Sequence, residues 1–151
     1  LIAALLFAYN VPARIGFARA DRAATGQLAR MAAPHVDARH CLYVFDGPSA
    51  LYRMTGGCLP SRFIYPDHLN NALEQHALGI DTAREVRRIL AREPGAIVTA
   101  NRPVTVPNQH TTALVRQEIA RNYLPLTSVA FAGRVLTLHI RKDGIPGNPK
   151  R

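Results

Sequence analysis

The 151-residue chain contains no tryptophan, only two cysteines and two methionines, and only 10 acidic residues against 19 basic ones. Each scarcity excludes something. No run interleaves aromatic with basic residues, and the arginines are scattered over helical segments, so the pattern of a single-strand-binding sheet is missing and no nucleic-acid partner is expected. Two cysteines, Cys41 and Cys58, cannot build a disulfide framework. Cys41 opens an apolar run and reads as a small buried hydrophobe. A single bridge to Cys58 requires an oxidising compartment and a suitable geometry, and the spacing alone leaves both states open. There is no G-x-G-x-x-G fingerprint, no phosphate loop ending in Gly-Lys-Ser/Thr, and no G-x-S-x-G elbow around Ser49, Ser61 or Ser128. Nucleotide-dependent and serine-hydrolase chemistry are disfavoured on that basis. The histidines at 35, 40, 68, 76, 110 and 139 form no H-x-x-x-H pair and accompany no cysteine pair at zinc spacing, so no metal and no cofactor is assigned. His40 and Cys41 are adjacent on a strand and point to opposite faces, which argues against a Cys-His dyad.

What is present is a chain able to fold. A hydrophobic content of 48% over 151 residues provides for one domain with a sizeable core. The formal charge is +9 and nearly all of it is arginine, which pairs with phosphate in a bidentate fork. Anionic lipid headgroups and lipid-linked sugars are therefore candidate partners. The first ten residues, LIAALLFAYN, are almost wholly apolar but far short of the about 20 residues that a bilayer span requires. Without a charged leader or a cleavage site they read as the end of a transmembrane helix, with residues 1–16 forming that end and a connector. Tyr9, Arg14, Arg19 and Arg22 then stand where interfacial anchors belong.

Most of the organisation centres on residues 42–66, LYVFDGPSALYRMTGGCLPSRFIYP. Residues 41–45 have the length and composition of a buried strand, and Asp46-Gly47-Pro48 ends it. A short helix follows from Pro48 and stops at Gly56-Gly57. A second strand is expected over residues 62–65. Further helices are expected at 18–33, 67–78, 82–93 and 109–123, the third of these opened by a Thr82/Glu85 capping box. Strands are expected at 96–100, 126–132 and 134–141, the last two forming a hairpin around Gly133. In the final strand Leu136, Leu138 and Ile140 alternate with Thr137, His139 and Arg141, giving one buried and one wet face. The pattern predicts a single α/β domain over residues 17–142, three-layered and Rossmann-like, with a small mostly parallel sheet ending in an antiparallel hairpin. A basic flexible tail occupies residues 143–151.

An apolar strand, a turn with Pro48, Leu51-Tyr52 on a short helix, Thr55-Gly56, then Pro60-Ser61-Arg62-Phe63 resembles the C-terminal soluble region of bacterial integral-membrane glycosyltransferases of the GT-C type. These are the enzymes similar to protein mannosyltransferases and aminoarabinose transferases. The resemblance covers residues 21–142. Where the family commonly has a basic residue after the helix-ending glycine, this chain has Gly57-Cys58, so no ligand role is carried to that position. The resemblance implies an accessory domain outside the inner membrane, on the periplasmic side, attached to the membrane portion of the same polypeptide. That portion transfers sugar from a polyprenyl-phosphate donor, and its catalytic groups lie among the spans, so no catalytic residue is assigned to a position here. Arginines near an apolar end favour the cytoplasm, but long domains translocate largely regardless of charge.

The residues themselves suggest two sites. Asp46, Gly47 and Ser49 sit at the carboxyl end of an expected parallel strand, where open α/β sheets hold ligands, and Arg62 lies nearby in the sequence. Capping alone would also explain Asp46 and Gly47, with the aspartate at a helix start. Arg84, Arg87 and Arg88 form an outward basic face suited to anionic headgroups. Tyr43, Phe45, Tyr52, Phe63 and Tyr65 suit either a core or a groove for a lipid tail or sugar. Two other classes of function compete with the accessory domain: a free-standing α/β domain binding a phosphorylated small molecule at residues 46–49, and a basic nucleic-acid-binding domain.

Overall fold

The structure, a computed structural model, describes residues 2–144, with side chains described for residues 15–143. The side-chain anchors expected at Tyr9 and Arg14, and the tail from residue 145 on, lie outside these. A long helix α1 (Ile2–Ala32) leads into the short strand β1 (Leu42–Val44), helix α2 (Ala50–Thr55) and a single helical turn α3 (Asp67–Asn70). Helix α4 (Thr82–Leu90), strand β2 (Ala96–Ala100) and helix α5 (Gln109–Asn122) follow, and the hairpin β3 (Tyr123–Phe131) and β4 (Arg134–Arg141) closes the fold. No described helix is long and apolar enough to cross a membrane.

The four strands form one sheet in the order β1-β2-β4-β3. β1 runs parallel to β2, and the other two pairings are antiparallel. The sheet is therefore mixed rather than mostly parallel. The cause is the missing strand at residues 62–65, which are irregular. The outward N–H of Val44, which a further parallel strand would have paired, donates instead to the buried Tyr52 hydroxyl at 3.1 Å. Pro60 and Pro66 flank the segment and have no N–H to offer a ladder.

One core cluster joins Ala24, Leu28, Ala29 and Ala32 of α1 and Leu51 and Tyr52 of α2 to Leu42, Val44, Val98, Leu136 and Leu138 of the sheet. A second joins Tyr43, Phe45 and Ile97 to Leu69, Val86, Ile89, Leu90 and Val115 of the later helices. Along β1 and the first half of β2 the alternation sends successive residues to opposite clusters, as a pleated strand covered on both faces requires. Small residues on α1 bring its backbone close to the sheet, and Asp21 accepts a hydrogen bond from the Ala132 backbone N–H at 2.8 Å, tying α1 to the hairpin turn. Ala132 and Gly133 both have positive φ, 47° and 71°, as a two-residue type I′ turn demands.

Several local expectations are corrected. The connector expected over residues 11–16 is helical, strong helix formers on both sides carrying the helix through Pro12 and Gly16, so Asp21 lies mid-helix rather than in a first turn. The helix expected over 67–78 stops at Asn70. Asn71 turns extended, its side-chain oxygen accepts from the Leu73 N–H, and it bridges to Pro107. Asparagine here competes with the helix for backbone groups, and Leu73 is left 77% exposed. The N-cap of α4 is Asp81, accepting from the Arg84 N–H at 3.0 Å. Thr82 is buried and receives the Asn108 amide instead, while Asn108 itself caps α5 through the Thr111 N–H. β3 begins three residues earlier than expected, because Pro125 is tolerated on an edge strand beside a bulge at Pro125/Thr127.

Candidate ligand site at the carboxyl ends of the parallel strands

β1 and β2 end side by side, and α5 crosses over their carboxyl ends. Between them lies a cavity of about 540 Å³, within the size range of small-molecule sites. Phe45 and Asp46 come from the end of β1, and Thr99, Ala100 and Asn101 from the end of β2. Gln109, Thr112, Val115, Arg116, Ile119 and Ala120 come from one face of α5, at helical spacings of three and four. Asn70, Pro103 and Pro107 close one side, and His139 of β4 contributes from the sheet. The loop carrying the prolines is held down by backbone hydrogen bonds from Asn108 N to Asn70 O and from Ala72 N to Val106 O.

The charges are arranged unevenly. One Arg134 guanidinium nitrogen donates to both carboxylate oxygens of Asp46, at 2.9 and 3.0 Å, and to the Arg102 carbonyl. The two side chains are only 10% and 14% exposed. Burial pushes the Asp46 carboxyl above its ordinary value, while the hydrogen bonds from Arg134 pull the other way. Arg116 is exposed and has no hydrogen-bond or ion-pair partner among the described residues. His139 shares a hydrogen bond between Nε2 and the Thr99 hydroxyl at 3.0 Å, and its Nδ1 is buried with no partner. Burial lowers its pKa below the ordinary histidine value, favouring the neutral ring. Asn70 donates its amide to the Phe45 carbonyl, and Asn101 accepts from the Val135 N–H, so each keeps half of its amide for another partner.

Of Asp46, Gly47, Ser49 and Arg62, suggested by sequence as a ligand site, Asp46 alone lines this cavity. It caps no helix, being paired with Arg134 instead. Gly47 turns away, with φ 147°, and a Cβ there would lie 3.3 Å from Val98 and 3.5 Å from Leu136, in the α1-side core. Ser49 stands before α2 with no side-chain cap and outside the cavity. Arg62 lies in a separate cleft of about 350 Å³ together with Phe63, Ile80, Asp81, Arg84, Glu85 and Arg88. Within it Arg88 pairs with Glu85 at 2.6 Å, and Glu85 also accepts from Ser61. Arg87 meets His110 across 3.0 Å, outside the cleft. Arg62 thus lies beside Arg84 and Arg88 of α4 rather than with Asp46. Tyr43, Phe45 and Tyr52 are buried, Phe63 is half-buried and Tyr65 is exposed, so three of the five aromatic residues fill core and only Phe45 also touches the cavity.

His139, Thr99, Asn101, Gln109, Thr112 and Arg116 were not singled out from sequence. The readable signal was twofold: His139 sits on the face of β4 that alternation marks as non-core, and Gln109, Thr112 and Arg116 make a polar stripe beside Val115 and Ile119. Cys41 and Cys58 are joined in a disulfide with Cα atoms 4.8 Å apart, bracing β1 against the loop after α2. Among the described residues no group of three or more His, Cys, Asp or Glu side chains could hold a metal ion. Comparison with family models, with curated proteins and with solved structures finds no match to this chain.

Proposed function

We propose that this chain is the C-terminal accessory domain of a bacterial membrane glycosyltransferase of the GT-C type, lying on the periplasmic side of the inner membrane. The parent enzyme transfers sugar from a polyprenyl-phosphate donor to a lipid, glycan or protein acceptor, and this domain helps to shape the acceptor side of that reaction without supplying the catalytic groups. The observation that carries the reading is the Cys41–Cys58 disulfide inside the segment that bears the family resemblance. Such bonds persist in oxidising compartments and are rare in the cytosol. The continuous helix α1 adds support, because it runs from the apolar start of the chain into the core at Leu28 without a hinge. In this reading the domain is a three-layer Rossmann-like unit, and α4 rests its Arg84, Arg87 and Arg88 face on anionic headgroups.

The test is the coding sequence upstream of Leu1. Hydrophobic spans of about 20 residues, with an acidic residue in the first outward loop, are expected there; a start codon close by with no further spans would sink the proposal. For the membrane face, flotation with anionic liposomes should weaken on Arg84→Glu with Arg87→Glu. These two are chosen because Arg88 is already engaged by Glu85. Unchanged flotation removes α4 from the membrane surface.

A further inference from the structure

We infer that the cavity over the carboxyl ends of β1 and β2 binds a sugar unit carrying one negative group, a carboxylate or a phosphate. The inference does not rest on the glycosyltransferase reading and would hold for a free-standing domain.

The chemistry of the lining selects the ligand. Its uncharged polar side chains are amides and hydroxyls, from Asn70, Thr99, Asn101, Gln109 and Thr112. Each can donate and accept, which suits hydroxyl groups that do the same. Asn70 and Asn101 spend one end of the amide on the backbone and keep the other. Phe45, Val115 and Ile119 offer apolar surface beside them, matching the C–H faces of a sugar ring. His139 supplies the one buried polar atom of the lining that lacks a partner among the described residues, its Nδ1. The ring lines the cavity beside the Thr99 hydroxyl, with which its Nε2 shares a hydrogen bond.

The charge count limits the anion. Asp46 is neutralised by Arg134, which approaches from outside the lining. The remaining formal charge is the single cation Arg116, exposed and without a described partner. One cation favours one negative group. A nucleoside diphosphate would bring more charge than the site can meet, and a divalent cation has no free carboxylate cluster to bind. Because Arg116 is exposed whereas Thr99 and His139 line the cavity from the sheet, the anionic group belongs toward solvent and the hydroxyls toward the sheet.

The experiment is an amide and imidazole NMR titration of the 151-residue chain with glucuronate, glucose 1-phosphate, glucose and inorganic phosphate. Saturable shifts at Thr99, Asn101, Thr112 and the His139 ring are expected with one or both anionic sugars, at millimolar ligand or below. Arg116→Gln should weaken that binding about tenfold, the loss of one charge-assisted contact, and weaken glucose binding far less. Thr112→Val should weaken both sugars alike. The tighter of the two anionic probes identifies carboxylate or phosphate as the group bound. Absence of saturable shifts with either anionic sugar overturns the inference. So do shifts confined to the α4 cleft, inorganic phosphate binding as tightly as the sugars, and an Arg116→Gln variant that binds unchanged. Arg116 has no described partner to lose, so its variant is expected to fold.

Discussion

Removing Arg134 should destabilise the protein through what it leaves behind. The Asp46 carboxylate is 14% exposed and takes both of its described hydrogen bonds from this one guanidinium. Breaking one side of a buried ion pair typically costs 3–5 kcal/mol, because the remaining charge keeps its desolvation penalty and loses its partner. For Arg134→Met, with some solvent reaching the pair, about 3 kcal/mol is expected. Asp46→Asn should cost about 2 kcal/mol, since the amide retains one acceptor oxygen and Arg134 keeps the Arg102 carbonyl. The double variant should cost about 3 rather than 5 kcal/mol, a coupling of about 2 kcal/mol. Urea titrations of the four proteins read these values, and Arg134→Met should lower the melting temperature by about 6–12 °C. A pH arm gives an independent sign. An aspartate whose folded pKa lies above its unfolded value stabilises the fold when protonated and loses that contribution as pH rises through the folded pKa. Without Arg134 the Asp46 pKa rises further, so the deficit of Arg134→Met should shrink as pH falls toward the ordinary value of 3.8. Additive single effects, or a deficit that grows on acidification, would refute the reasoning.

Two further outcomes follow from the same physical chemistry. The Cys41–Cys58 bond closes a loop with a sequence separation of 17, so replacing both cysteines with alanine should cost about 3 kcal/mol. Dithiothreitol should lower the melting temperature of the unaltered protein and not that of the double variant; identical melting of both, with and without reductant, would count against the bond. His139 has its pKa lowered by burial from the ordinary 6.5. Its contribution is therefore complete above that value and is lost as pH falls through the folded pKa, because the unfolded chain takes up the proton first. His139→Gln should flatten the acid side of the stability profile, below the ordinary histidine value of 6.5, relative to the unaltered protein, and parallel profiles would show that the ring is not held neutral.

How much of this was legible beforehand depended on whether a feature was local. β2 and β4 were delimited correctly because an apolar run and a strict alternation are written in consecutive residues. The hairpin was legible for the same reason, with Gly133 in its turn. The mixed character of the sheet was not, since it turns on Tyr52 filling the hydrogen bond that a strand at residues 62–65 would have made. That contact joins residues eight apart through a side chain, and no periodicity reports it. Asp46 was suspected of a ligand role and does line the cavity, but its partner Arg134 is 88 residues away, and most other cavity residues come from β2, α5 and β4. A lone histidine on a non-core face of a strand looks like a surface residue until a helix is laid across it. Local details failed where a polar side chain had two good uses: the helix from Asp67 ends before Asn71, and α4 starts at Thr82 as expected but is capped by Asp81.

The Tyr52 hydroxyl has a consequence for how many strands the sheet can hold. A sheet grows by templating, each outer strand offering a row of unpaired groups to the next. At β1 the central outward N–H is already taken by Tyr52. At the opposite border, β3 carries Pro125 and a bulge, which removes a donor and bends the row. Both borders are thus closed to recruitment by different means, a hydroxyl on one side and an imino acid on the other. The sheet stops at four strands without a barrel to seal it, and a neighbouring chain meets no straight, fully open edge on which to dock.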